Sequence, residues 1–115
     1  MTIKTFGIDH IHVNVRSMDR FRDLMKQLFD LDATRIGHID SIMADNATVR
    51  LRGAGAGQPF LDVFESGDPQ SPIKRLVDKR GPCVSFISFR VGNIEEAAAH
   101  AAQAQVRDRV QLHRG

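Results

Sequence analysis

Apolar and polar side chains alternate over residues 6–15. A period of two residues is typical of a β-strand, because successive side chains of a strand point to opposite faces of its sheet. One face of the predicted strand carries Ile11, Val13 and Val15. The other face is polar and carries His10, His12 and Asn14.

The following segment has the period of a helix. Apolar residues recur at intervals of three and four from Phe21 to Phe29, which predicts an amphipathic helix over residues 18–30, and Ser17 is a suitable N-cap. The order of predicted elements in this half of the chain is therefore β-α-β-β-β. Its last three strands are predicted at residues 34–39, 42–51 and 60–65.

Two segments connect the halves of the chain. Residues 53–57 alternate glycine and alanine, but neither a Gly-Lys-Ser/Thr sequence nor a helical pattern follows, so a hairpin turn is favoured over a phosphate-binding loop. Residues 71–80 have helical spacing and stop at Gly81 and Pro82, which predicts a short connecting helix.

The second half repeats the opening pattern. Aligning Phe86 with His10 also aligns Asn93 with the predicted cap Ser17, and the alanine-rich residues 97–104 form the matching helix. After Val106 there is room for one strand, where the first half has three. We therefore expect one domain over residues 1–115, made of a first unit (5–66), a connector (67–82) and an incomplete second unit (83–115).

Composition narrows the class of protein. With 42% hydrophobic and 26% charged residues, the 115-residue chain has the composition of a globular domain. The single cysteine, Cys83, excludes an internal disulfide and favours a reducing, cytoplasmic setting. A net charge of +2 with scattered basic residues argues against nucleic-acid binding, and we predict neither a signal peptide nor a membrane span.

Three polar residues are candidates for chemistry. His10 and His12 project from the same face of the first strand, and Asp62 lies between apolar neighbours on a later strand. Histidine and carboxylate on neighbouring strands can share a divalent ion.

The same pattern also fits polar residues on a solvated sheet face, with Asp62 paired to Arg50 or Arg52. His38, His100 and His113 are expected at the surface, and Arg90 as a solvated strand residue.

Several motifs together resemble the vicinal oxygen chelate superfamily, the group of glyoxalases, bleomycin-resistance proteins and extradiol dioxygenases, with its methylmalonyl-CoA epimerase branch the most similar. They are I-D-H-I-H-V at 8–13, L-D-V-F-E at 61–65, S-P-I-K-R-L at 71–76 and F-I-S-F-R-V at 86–91. The resemblance implies an α+β fold of paired βαβββ modules, whose sheet curves into a cup where four side chains hold a divalent metal such as Co, Ni, Zn or Mg.

Transferred position by position, the resemblance places two metal ligands on His10 and Asp62. The third ligand position falls on Phe86, whose phenyl ring binds no hard cation. The fourth ligand has no counterpart, because the chain is expected to end before the strand that carries it. No catalytic base is assigned, and Asp40 and Glu65 are available carboxylates.

Three functions remain open from the sequence. The first is an epimerase- or glyoxalase-like enzyme for a small carbonyl or CoA-thioester compound, its site completed by a partner in a homodimer. The second is a metal-free small-molecule binder with Phe86 as a stacking surface. The third is a degenerate copy whose polar residues are structural. The cup is expected to be lined by His10, His12, Asn14, Phe86 and Ser88.

Overall fold

The computed structural model describes residues 4–51, 58–103 and 110–114, and side chains up to residue 99. The helices are α1 (Met18–Phe29), α2 (Pro72–Arg80) and α3 (Ile94–Gln103), with a single 3₁₀ turn at Asp40–Ile42. The strands are β1 (Thr5–Asn14), β2 (Ala33–Ile39), β3 (Ala44–Arg50), β4 (Phe60–Glu65), β5 (Cys83–Val91) and β6 (Val110–Arg114). This order confirms the predicted α+β class. No helix within these described ranges is long and apolar enough to cross a membrane.

All six strands form one mixed sheet in the order β2-β3-β4-β1-β5-β6. The central strand β1 runs parallel to β4 and antiparallel to β5. At the outer end of the second half, β6 runs parallel to β5. The two halves of the chain therefore meet at the β1–β5 pair.

The local signals for α1 operate as the sequence predicted. The Ser17 side chain accepts a hydrogen bond from the Arg20 backbone N–H at 3.2 Å, which satisfies one free donor of the first turn. The helix ends where Asp30 adopts a left-handed conformation (φ 55°). One predicted boundary is wrong: β3 begins at Ala44 rather than residue 42, because the 3₁₀ turn occupies residues 40–42. The predicted hairpin turn at 53–57 lies outside the described residues.

One face of the sheet packs against α1. Val15, which directly follows β1, and Val63 of β4 are buried beneath Met18 and Met25 of the helix, together with Ala47 and Val49 of β3. Burial of this apolar face orients the strands, because register and side-chain alternation then direct the intervening polar residues to the opposite face. We call that opposite side of β3, β4, β1 and β5 the polar face.

A second apolar cluster closes one end of the polar face. Phe64 of β4 packs with Ala44 and with Ile73 of α2, and the 3₁₀ turn contributes Ile42. Ser71 joins these elements: its fully buried hydroxyl donates to the Ile42 carbonyl at 2.6 Å and accepts from the Ile73 N–H at 3.2 Å. The hydroxyl therefore caps α2 and also attaches it to the 3₁₀ turn.

We expect Ser71→Ala to lower the free energy of unfolding by about 1.5 kcal/mol, because it leaves a buried carbonyl and a helix N–H without their partner. Ser17→Ala is the matched control, since Ser17 caps an exposed helix start and has no second bond of this kind; its expected cost is about 0.7 kcal/mol. Urea denaturation of both variants measures the difference. Equal costs would contradict a connecting role for Ser71.

Candidate functional site

The structure brings the six predicted site residues together on the polar face. In the backbone register, His12 lies opposite Asp62 on one side and opposite Phe86 on the other. His10 lies opposite Phe60 and Ser88 in the neighbouring row. Asn14 completes the alternation of β1, and its backbone lies opposite that of Phe64. The site residues are His10, His12, Asn14, Asp62, Phe86 and Ser88.

His12 is held between two aromatic rings. Its imidazole stacks on Phe64, with ring centroids 3.7 Å apart, and meets the Phe86 ring edge-on at 4.2 Å. Nε2 is buried and has no hydrogen-bond partner among the described residues. Burial first, and the nearby His10 second, lower the pKa of His12 to about 4. At neutral pH His12 is therefore uncharged, and its buried Nε2 atom has no partner among the described residues.

Asp62 is a half-buried carboxyl on the same face. Burial raises its pKa above the ordinary aspartate value, while a hydrogen bond from Asn46 and the proximity of His10 act in the opposite direction. Its Oδ1 atom is buried and has no partner in the described part of the chain. The alternative pairing with Arg50 is not among the ion pairs of the described residues, and the Arg50 guanidinium lies over the Phe60 ring at 5.1 Å. Arg52 lies outside the described residues.

His10 belongs to a chain of charged and polar contacts that the sequence did not indicate. Its Nδ1 lies 2.8 Å from the Asp9 carboxylate, which also accepts a hydrogen bond from Arg90 at 3.0 Å. A β-bulge makes this contact feasible. Ile8 pairs with Phe89 and His10 with the adjacent Ser88, so Asp9 is the additional residue of the bulge. Arg90 is thus an ion-pair partner and not the solvated residue expected. A carboxylate at Nδ1 orients the imidazole.

Asn14 is fully buried, as is Ser88. Neither the amide nitrogen nor the amide oxygen of Asn14 has a partner among the described residues. An unpaired buried polar group costs about 1–3 kcal/mol. Asn14, His12 and Asp62 thus place several unpartnered buried polar atoms on one face, an arrangement that is rare in folded proteins and that requires a physical explanation.

The donors on the polar face do not fit the metal site that the resemblance implies. Within the described residues, no group of three histidine, cysteine, aspartate or glutamate side chains is close enough to hold a metal ion. Phe86 occupies the third ligand position, and its ring edge contacts His12. Among the described side chains at the implied ligand positions, only His10 and Asp62 carry donor atoms. A divalent ion would therefore have two protein ligands instead of the usual four.

The last strand corrects one expectation about the fourth ligand. β6 pairs in parallel with β5, just as β4 pairs in parallel with β1. In the second half, β6 thus takes the position that β4, the last strand of the first half, takes beside β1. It does so although only α3 separates it from β5 along the chain. In its register, Gln111 lies opposite Ser88. The strand that the resemblance requires for the fourth ligand is therefore present, with Gln111 at the matching register position.

Glu65, Asp40 and His38 make contacts outside the six candidate site residues, whereas Cys83 lies opposite Asn14 in the β1–β5 register. The Glu65 carboxylate accepts the Met18 N–H at 3.0 Å and so caps α1. Asp40 is exposed and lies 3.4 Å from His38, which also contacts Asp45 at 2.8 Å. Cys83 is a half-buried free thiol. The side chains of His100 and His113 lie outside the described residues.

Comparisons with known proteins agree with this topology. The sequence profile of the Glyoxalase/Bleomycin resistance protein/Dioxygenase superfamily matches residues 7–115. No curated protein matches the sequence significantly. Among solved structures, methylmalonyl-CoA epimerase from Mycobacterium tuberculosis superposes with a TM-score of 0.78 at 20% identity, over 93% of this chain and 69% of that one.

A second solved structure is similar to the same degree. It is a Streptomyces coelicolor methylmalonyl-CoA epimerase variant in complex with 2-nitronate-propionyl-CoA, with a TM-score of 0.78 and 18% identity, over 90% of this chain and 75% of that one. At these identities the likeness establishes the shared fold.

Proposed function

The chain belongs to the Glyoxalase/Bleomycin resistance protein/Dioxygenase superfamily, and from that premise we propose that it binds a small carbonyl compound on the polar face and catalyses an epimerase-like proton transfer there. The observation that carries the proposal is the set of buried polar atoms without protein partners on one face: Nε2 of His12, the amide of Asn14 and Oδ1 of Asp62. The ligand complex of the S. coelicolor relative makes a CoA thioester the first compound to test.

These groups suit proton transfer at the carbon next to a carbonyl. Asp62 is the proposed base: its raised pKa makes it a better proton acceptor than an exposed aspartate. As the C–H bond breaks, its electron pair moves onto the carbonyl oxygen and forms an enolate. Neutral His12, with its proton on Nε2, and the Asn14 amide are the donors that stabilise this oxygen. Reprotonation of the same carbon completes the exchange.

His10 is proposed to act beside them as an oriented polar group. Its contact with Asp9, which is itself fixed by Arg90, limits rotation of the imidazole. A fixed ring loses less conformational freedom when a ligand binds. Ser88 is fully buried in the row next to His10 and contributes to the wall of the site.

A metal-free binding protein is the second candidate, favoured by Phe86. Its ring lies against His12 at the centre of the polar face and offers an apolar wall where a metal-dependent enzyme needs a ligand atom. In this case the same polar atoms recognise a carbonyl compound, and no proton is exchanged.

One experiment separates the two candidates. Calorimetric titration with propionyl-CoA and methylmalonyl-CoA, with free CoA as the control, measures binding. Mass spectrometry of the same thioesters in D₂O measures α-proton exchange. We expect both thioesters to bind, and Asp62→Asn to slow exchange by about 100-fold or more while binding changes by less than about tenfold.

Asp45→Asn is the matched control, because Asp45 is an exposed carboxylate of the β2–β3 hairpin; its exchange rate should equal that of the wild type. Binding without exchange would replace the enzyme by the binding protein. Absence of binding to either thioester, in a folded sample, would reject this ligand class.

A further inference from the structure

The polar face has an internal symmetry that relates its positions in pairs. In the antiparallel β1–β5 pair, His10 lies opposite Ser88 and His12 lies opposite Phe86. Exchanging the two strands therefore places His10 on Phe86 and His12 on Ser88. This operation agrees with the sequence repeat, which aligns the same residues.

The same exchange relates the two flanking strands. β4 lies parallel beside β1, with Asp62 opposite His12, and β6 lies parallel beside β5, with Gln111 opposite Ser88. Asp62 and Gln111 are thus partners under the symmetry, as are His10 and Phe86. The four ligand positions that the family resemblance implies are the first two of these pairs: His10 and Phe86 on β1 and β5, and Asp62 and Gln111 on β4 and β6.

Three of these four positions carry a residue type that can bind a metal. Histidine supplies an imidazole nitrogen, aspartate a carboxylate and glutamine an amide oxygen. The fourth residue is Phe86, which supplies no donor atom. Because Phe86 is the β5 residue among the four, its phenyl ring removes the whole contribution of β5.

We infer that Phe86 alone determines that this site works without a divalent metal, and that replacing it by histidine creates a metal site in the existing fold. The inference uses the polar face on which the proposed function rests. It does not depend on thioester binding, because its test measures metal alone.

The substitution is sterically acceptable at this position. Phe86 is half-buried, and its neighbour His12 meets it edge-on rather than in a stacked arrangement. Imidazole is smaller than phenyl, so Phe86→His removes volume and introduces no clash. His10 is already oriented by Asp9, which is the arrangement that favours a metal-binding imidazole.

The test is titration of Co(II) and Zn(II) into the full chain, with metal content measured after dialysis. We expect Phe86→His to bind one Co(II) per chain about 100-fold more tightly than the wild type, with visible absorption of a coordinated cobalt ion. Phe86→Leu is the matched control: it opens the same space, adds no donor and should bind as weakly as the wild type. Phe86→His combined with His10→Ala should lose the gain.

Two results would overturn the inference. One is a wild-type chain that already retains one equivalent of metal as tightly as Phe86→His. The other is a Phe86→His protein, folded by circular dichroism in EDTA, that binds no more tightly than Phe86→Leu. If Phe86→His does not fold, Phe86→Cys serves the same purpose, because a thiolate ligand adds a sulfur-to-cobalt charge-transfer band that the wild type lacks. Absence of that band would equally overturn the inference.

Discussion

Lowering the pH from 7 to 4 should reduce the free energy of unfolding by about 3 kcal/mol through His12 alone. In the folded chain the pKa of His12 is lowered from 6.5 to about 4, chiefly by burial. The unfolded chain therefore takes up a proton first. The stability that neutral His12 contributes is fully present above pH 6.5 and is lost as the pH falls towards 4. Urea denaturation at pH 7, 6, 5 and 4 measures this slope.

Two variants isolate the contribution of His12. His12→Leu should be nearly free of the His12-dependent slope, whereas His38→Gln should keep it, because His38 is half exposed on the surface. Asp62 acts in the opposite direction: its pKa is raised, so its destabilising charge disappears as the pH falls. For that reason the difference between wild type and His12→Leu is the quantity to compare. An identical slope in both would show that His12 is not held neutral by the fold.

Replacing Asn14 by leucine should stabilise the chain by about 2 kcal/mol and weaken ligand binding by about tenfold or more. The Asn14 amide is fully buried and neither of its polar atoms has a partner in the described part of the chain. Leucine has the same number of heavy atoms and no polar group to desolvate. An opposite effect on stability and binding is typical of a residue kept for function.

Urea denaturation and thioester titration of the same samples test this prediction. Asn46→Leu is the control, because Asn46 donates a hydrogen bond to Asp62; its loss should lower stability. If Asn14→Leu also lowers stability, the amide has a structural role. If it binds thioesters as well as the wild type does, Asn14 does not contact the ligand.

Local sequence patterns determined most of the secondary structure. The alternation in β1, the helical period and Ser17 cap of α1, and the stop of α2 at Gly81 all depend on interactions within a few residues. The superfamily was also readable from the sequence, because its motifs lie on these same elements. The histidine face of β1 followed from alternation alone.

Tertiary structure decided which contacts these residues make. Asp9 reaches His10 only because β1 and β5 pair with a bulge, and Arg90 reaches Asp9 from a strand that lies 81 residues away along the chain. The pairing of Asp62 with Asn46 rather than Arg50 depends on the register between β3 and β4 and on the Phe60 ring.

The position of β6 is the largest difference between expectation and structure. The sequence alone predicted one more strand, but chain order does not specify which neighbour a strand pairs with. Pairing of β6 with β5 places Gln111 opposite Ser88, at a position for which the predicted order of strands offered no residue. By itself, the sequence determined the elements, the superfamily and the residues on each face, since these follow from local periodicity and short motifs. Strand pairing and burial, which depend on long-range contacts, decided which polar atoms lack partners and therefore which residues form the proposed site.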